Sequence, residues 1–67
     1  MNKSAKIYIA GHRGMVGSAV WRALEKKGYT NLIGKTSKEL DLKNELEVLS
    51  FLKEEKPVAI IDAAARV

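Results

Sequence analysis

The chain has 67 residues and a net charge of +4. It contains no cysteine, which excludes a disulfide framework and a cysteine-based zinc site. Its apolar runs are too short to span a membrane, and its lysines alternate with acids and lack an aromatic platform, so we expect a cytoplasmic protein that binds neither membrane nor nucleic acid.

The first strand is predicted at residues 6–10, a short apolar run that ends at Gly11. A helix follows, because apolar residues recur at the spacing of one helical face, namely at Val16, Ala19, Val20, Ala23 and Leu24. Gly28 comes directly after two lysines and marks the end of this helix.

The second strand is predicted at residues 31–34. A second helix begins at Asn44, which has the spacing of a capping box with Glu47, and ends before Pro57. Its apolar side consists of Leu46, Leu49, Phe51 and Leu52. The third strand, residues 58–62, is apolar at nearly every position, as is typical of a strand covered on both faces.

This alternation predicts an α/β fold with a parallel sheet and right-handed crossovers. We interpret it as the first half (β-α-β-α-β) of a doubly wound, parallel-sheet Rossmann fold, truncated, with the strands in the spatial order 3-2-1. In that order the first strand would be an open edge. Residues 1–67 are therefore predicted to be the incomplete N-terminal part of an NAD(P)-binding domain, with no second domain.

Gly11, Gly14 and Gly17 join the first strand to the first helix with the spacing G-x-x-G-x-x-G. We expect Gly11 to allow the tight turn, Gly14 to let the backbone approach a phosphate, and Gly17 to let the helix lie close to the sheet. The positive end of the helix then faces the anion. The glycines are predicted to bind the pyrophosphate, against the alternative of a purely structural turn. The predicted cofactor-binding residues of this loop are Gly11, His12, Arg13, Gly14, Met15, Val16 and Gly17. Within this loop, the His12 side chain is predicted to face solvent, without metal ligands nearby.

Gly34-Lys35-Thr36 has the form of the end of a P-loop, but the first glycine of that motif would fall at position 29, which is Tyr29. Polar residues follow instead of a helix, so an ATPase is rejected.

Lys35 follows the second strand at the place where NAD-binding sites usually carry an acid for the ribose hydroxyls. A cation with hydroxyl groups beside it suits the extra phosphate of NADP, and Arg13 is able to bind the same phosphate. The sequence therefore predicts NADP(H) rather than NAD.

Two further segments are candidates for cofactor contacts. Asp41 is able to bind the adenine amino group while Leu42 packs on the ring, or the pair is a turn acid followed by a core leucine. The small residues after the third strand either leave room for the cofactor or allow close packing; they are Ala63, Ala64 and Ala65.

The run from Ile9 to Ala19 resembles the start of the GDP-L-fucose synthase family of extended short-chain dehydrogenases/reductases, because His12-Arg13 and Met15-Val16 fill the variable loop positions as that family does. Residues 35–42 and 63–67 resemble its later cofactor segments. The resemblance covers this whole chain but only the first part of a family member.

That resemblance implies a cytoplasmic homodimer that uses NADPH to convert the nucleotide sugar GDP-4-keto-6-deoxy-mannose to GDP-L-fucose, by epimerisation and then reduction. It implies that Arg13 and Lys35 occupy positions where the family has arginines near the 2′-phosphate. Lysine keeps the charge without the bidentate fork, and Ser37 stands where a further arginine is common.

The family's chemistry also needs a Ser/Thr and a Tyr-x-x-x-Lys pair. His12 and Ile33 stand four residues after the two tyrosines, Tyr8 and Tyr29, so no catalytic residue is predicted in this chain. Two alternatives stay open: another extended nucleotide-sugar epimerase, dehydratase or reductase, and a non-catalytic dinucleotide sensor.

Overall fold

The five predicted elements all occur in the predicted order in a computed structural model, which describes residues 2–63. Strand β1 spans Ile7–Ala10, helix α1 spans Met15–Lys26, strand β2 spans Leu32–Ile33, helix α2 spans Glu45–Glu55 and strand β3 spans Ala59–Asp62. Neither of the two helices in this part of the chain has the length and apolar character needed to cross a membrane.

The three strands form one parallel sheet in the order β2-β1-β3, so the predicted order 3-2-1 is wrong. In β1, Ile7 is paired with Leu32 on one side and with Ala59 on the other. After β2 the chain makes turns instead of adding a strand at the outer edge of β2, and α2 then carries it back to the far side of β1. Strand β1 is thus the interior strand and not an open edge.

The side chains of β1 alternate between two covered faces of the sheet. Ile7 and Ile9 are fully buried on one face. On the other face Tyr8 contacts Phe51 of α2, edge to face, with ring centroids 4.7 Å apart. Because both crossovers connect parallel strands on opposite sides of β1, right-handed connections place α1 and α2 on opposite faces.

Strand β3 is covered on one face only, which corrects the prediction that both faces are covered. Its residues alternate between half-buried and exposed, and Ile60 is 54% exposed. The reason is its position at an edge of the sheet. Ala59 and Ile61 pair with the buried Ile7 and Ile9, whereas Ile60 pairs with Tyr8 on the face of α2 and stays exposed.

The face of α1 that meets the sheet differs from the predicted one. Gly17 is buried, and Val20, Trp21 and Leu24 are half-buried, whereas the predicted Val16, Ala19 and Ala23 are exposed. Close packing of Gly17 on the loop rotates the helix so that positions 17, 20, 21 and 24 face the sheet, which is again an i, i+3, i+4, i+7 set.

Helix α2 is also rotated from the prediction. Val48, Phe51 and Leu52 pack against the core, whereas Leu46 and Leu49 are exposed. Glu55 continues the inner face and forms an ion pair with Lys6 across 3.1 Å. Four positions of this face, 48, 51, 52 and 55, again have helical spacing.

The predicted helix ends are confirmed by their hydrogen bonds. After α1, the Gly28 N–H donates to the Glu25 carbonyl and the Tyr29 N–H to the Leu24 carbonyl, which is the Schellman pattern with Gly28 at φ +94°. At the start of α2 the Asn44 side chain accepts a hydrogen bond of 3.2 Å from the Glu47 N–H.

Candidate functional site

The candidate site lies where the carboxyl ends of the parallel strands meet. Gly11 follows β1, Gly34 follows β2 and Ala63 follows β3. The Ala63 N–H donates to the Ala10 carbonyl across 2.9 Å, which holds the end of β3 beside that of β1. In open α/β sheets ligands bind at this end of the strands.

The loop itself needs Gly11 and Gly17. Gly11 has φ +76°, a conformation that favours glycine. A Cβ on Gly17 would overlap the Gly11 carbonyl oxygen and lie 2.6 Å from its carbonyl carbon. These two positions therefore match the roles predicted for them, the tight turn and the close approach of α1.

Gly14 is different, because no protein atom requires a glycine there. Its backbone is extended, with φ −72° and ψ 171°, and its side of the loop is exposed. A Cβ at this position would meet only the Gly11 carbonyl oxygen, at 3.4 Å. Gly14 is also the N-cap of α1, and the first turn of that helix contains no acidic residue. This bare helix start fits an anion that approaches the backbone closely.

Two cavities lie over this end of the sheet and form one groove, since Gly11, Lys35 and Ser37 line both. The first has a volume of about 250 Å³ and brings together the glycine loop and the end of β2, its lining residues being Gly11, His12, Arg13, Gly14, Lys35, Thr36 and Ser37. The second, of about 380 Å³, extends along the next turn to Leu40, Asp41, Leu42 and Lys43. The structure thus places Arg13 and Lys35 at one cavity.

The turn after Lys35 is held by a capping box that the sequence interpretation missed. The Thr36 N–H donates to the Glu39 carboxylate across 2.9 Å, and the Glu39 N–H donates to the Thr36 hydroxyl across 3.3 Å. The signal was present as Thr-x-x-Glu, which is the spacing of this motif. These hydrogen bonds, and then the nearby cations Lys35 and Arg13, lower the pKa of Glu39.

The structure supports one half of the alternative prediction for Asp41 and Leu42, the turn acid, and not the other, the core leucine. The Asp41 carboxylate accepts a hydrogen bond of 2.9 Å from the Lys43 N–H, so Asp41 is a turn acid and also lines the groove. Leu42 is 46% exposed, so the alternative of a core leucine is wrong. The buried leucine of this segment is Leu40.

His12 is half-buried, which corrects the prediction that it faces solvent. Its ring lies against Gly34, where a Cβ would come within 2.6 Å of the ring atoms Cδ2 and Nδ1, and its centroid is 5.6 Å from that of Trp21. Neither partner was identified from the sequence, because nothing in the spacing joins residues 12, 21 and 34.

The remaining predicted residues are placed as follows. Met15 and Val16 are exposed at the start of α1. Ala63 is half-buried, and Ala64 and Ala65 lie outside the described residues. Within residues 2–63 there is no cluster of His, Cys, Asp and Glu side chains suited to a metal ion.

Tyr8 and Tyr29 both make packing contacts with other residues of the chain. Tyr8 is buried in the core, and burial together with the Asp62 carboxylate raises its pKa, the opposite of what a tyrosine acid needs. Tyr29 lies under the ammonium group of Lys3, which is 4.3 Å from the centre of the ring.

These features define the chain as a Rossmann-type α/β segment with a glycine loop at the ends of its strands. It belongs to the NAD-dependent epimerase/dehydratase family, whose model matches residues 7–67. The chain is 58% identical over 66 residues to GDP-L-fucose synthase 1 of Arabidopsis thaliana, which confirms the resemblance found in the sequence.

Solved structures give the same assignment. A GDP-mannoheptose C4 reductase from Campylobacter jejuni with NADP bound superposes with a TM-score of 0.94 at 46% identity over 100% of this chain. A GDP-D-glycero-L-gluco-heptose synthase from the same organism, in the presence of NADPH, gives 0.95 at 46% identity, also over 100% of this chain. The chain spans 20% of each of these two proteins and 20% of the Arabidopsis enzyme.

Proposed function

We propose that this chain forms the NADP(H)-binding N-terminal segment of a nucleotide-sugar epimerase/reductase. The observation that carries the proposal is the cavity shared by the glycine loop and the end of β2, because it puts a bare helix start and two cations, Arg13 and Lys35, around one space. A dinucleotide with an extra phosphate presents two anionic groups to such a site.

The pyrophosphate is assigned to the glycine loop. Gly14 supports this assignment, because almost no protein atom fills the place of its missing side chain, which leaves room for a ligand at the start of α1. The 2′-phosphate is assigned to Arg13, Lys35 and Ser37, and the adenine to the second cavity beside Asp41 and Leu42. The bound cofactor would supply a hydride, which this chain's residues only position.

For the whole protein we propose reduction and epimerisation of GDP-4-keto-6-deoxy-mannose to GDP-L-fucose by a cytoplasmic homodimer, on the basis of the 58% identity to the Arabidopsis enzyme. A GDP-heptose is the alternative substrate, favoured by the 46% identity to the two Campylobacter enzymes. Turnover of each sugar nucleotide with NADPH by the full-length protein separates the two substrates.

The cofactor assignment is tested by Lys35→Asp in the full-length protein. The change removes a cation from the 2′-phosphate and adds a repelling carboxylate. Because hydrogen bonds to charged groups contribute about 1.5–3 kcal/mol, we expect the ratio of kcat/KM for NADPH to that for NADH to fall about 10- to 150-fold.

Lys38→Asp is the matched control. It makes the same change of charge on the same turn, but Lys38 is exposed and lines neither cavity of the groove. Its ratio should change far less. An unchanged ratio in Lys35→Asp, or equal changes in both variants, would show that Lys35 does not contact the phosphate.

A further inference from the structure

We propose that His12 is a positioning residue that sets the preference for a 2′-phosphorylated dinucleotide. Its ring, seated between Gly34 and Trp21, holds Arg13 and Lys35 at the same cavity. This inference rests on the proposed function, since it concerns the coenzyme preference of that same site.

The contact between His12 and Gly34 is the physical link between the two halves of the site. Residue 12 belongs to the glycine loop, and residue 34 ends strand β2. A Cβ on Gly34 would come within 2.6 Å of His12 ring atoms, so the ring fills the space that a side chain at position 34 would take. Gly34 has no left-handed φ, so the ring, and not the backbone, requires a glycine there.

The two cations are the next residues along the chain on each side of this contact. Arg13 follows His12, and Lys35 follows Gly34. Both line the cavity of about 250 Å³. A shift of the loop backbone away from Gly34 would therefore also move Arg13 away from Lys35, and a phosphate held by both cations would lose part of its binding energy.

Trp21 supports the ring from the side of α1. Its indole lies 5.6 Å from the His12 ring, centroid to centroid, with the planes tilted by 42°. It is half-buried on the inner face of the helix, beside the buried Gly17. The ring is thus enclosed by three elements: the glycine loop, the end of β2 and helix α1.

These contacts depend on the shape of the His12 ring and not on a hydrogen bond from its Nδ1 atom. The Nδ1 atom of His12 is buried and has no hydrogen-bond partner among residues 2–63. A buried polar atom without a partner does not stabilise its surroundings. An apolar ring of similar shape should therefore hold the glycine loop against Gly34 equally well.

The test measures Kd for NADPH and for NADH in the full-length protein by calorimetry. For His12→Ala we expect about tenfold weaker NADPH binding and less than a threefold change for NADH, since about 1.4 kcal/mol of phosphate contact is lost. His12→Phe should restore the preference, because it keeps a planar ring. Thr30→Ala, an exposed change before β2 at the far end from Gly34, is the control and should change neither Kd.

A second variant keeps the test decisive if His12→Ala is poorly folded. Gly34→Ala keeps the histidine but displaces its ring, and should weaken NADPH binding selectively as well. In the His12→Ala background, Gly34→Ala should hardly change the NADPH affinity further, because the ring that it would displace is absent.

The outcomes separate this inference from the proposed function. If the wild-type protein binds NADPH, but His12→Ala leaves the NADPH/NADH ratio unchanged or weakens both cofactors equally, only the positioning role is overturned. Additive losses in the double variant, or no recovery in His12→Phe, also overturn it. If the wild-type protein binds neither dinucleotide, both proposals fail together.

Discussion

The roles of some residues at this site could be predicted from the sequence, and the roles of others could not. Gly11 and Gly17 could be assigned from spacing alone, because a turn and a close helix approach are local demands that glycine meets. The contact of His12 with Gly34 could not, since it joins residues far apart in the chain and depends on how α1 is rotated. The capping box of Thr36 and Glu39 is an intermediate case, because its spacing is present in the sequence but did not lead to a prediction.

At the residue scale, the lowered pKa of Glu39 makes the turn after Lys35 sensitive to acid. The Glu39 pKa lies below its ordinary value of 4.5, because the Thr36 N–H and hydroxyl stabilise the carboxylate. Because the pKa of Glu39 is depressed in the folded state, its contribution to folding stability is complete above about pH 4.5 and is lost as the pH falls through the lowered pKa.

The Thr36 amide proton reports this change directly. Its NMR chemical shift should titrate with a midpoint below 4.5 in the wild-type protein, and the titration should vanish in Glu39→Gln. That variant keeps the hydrogen-bonding side chain without the charge, so it is the matched control. A midpoint at or above the ordinary glutamate value would contradict the capping box.

At the scale of elements, the sequence predicted all five helices and strands, and the ends of both helices are confirmed by their capping hydrogen bonds. The order of the strands was wrong, because the alternation of elements and the handedness of crossovers allow the third strand on either side of the sheet. The apolar faces of both helices were also displaced. Apolar residues exceed what two short helices bury here, so periodicity alone did not select the inner face.

The end of α2 carries a testable local strain. Lys56 has φ +46°, in the left-handed region, directly before Pro57. This conformation costs a non-glycine residue about 1–2 kcal/mol, while a glycine adds about 0.5–1 kcal/mol of chain entropy. Lys56→Gly should therefore stabilise the protein by about 0.5–1 kcal/mol in denaturant unfolding.

Lys53→Gly is the control for that measurement. It places the same residue change inside the last turns of α2, where glycine should destabilise by about 1 kcal/mol. Destabilisation by both variants would contradict the left-handed geometry of Lys56.

At the scale of the whole molecule, this segment leaves much apolar surface open. Met15 is 90% exposed, Leu46 79% and Val58 68%, so several large apolar side chains of this segment face solvent. Met15 begins α1, Leu46 lies in the first turn of α2, and Val58 directly precedes β3. They fit a segment whose relatives are about five times as long, as the 20% coverage of the Arabidopsis enzyme indicates.

The loop, its glycines and the family were accessible from the sequence because each is written in contiguous residues. The groove could be predicted from the sequence only in part. Parallel strands bring Gly11 and Lys35 to one edge, but the cavity that joins them depends on turns whose shape the sequence did not predict. The predicted cofactor contacts of Ala64 and Ala65 lie outside the described residues and stay predictions.

The central claim is that the glycine loop binds the cofactor pyrophosphate, and Gly14→Ala tests it most directly. The backbone at Gly14 is extended and its Cβ meets only one protein atom, so folding stability should change by no more than about 1 kcal/mol, because the lower chain entropy of alanine opposes the loss of a favoured N-cap residue. We predict that the NADPH affinity of the full-length protein, measured by calorimetry, falls about 10- to 150-fold as hydrogen bonds to the pyrophosphate are disturbed, a loss of about 1.5–3 kcal/mol. A stable Gly14→Ala protein with wild-type NADPH affinity would contradict the assignment.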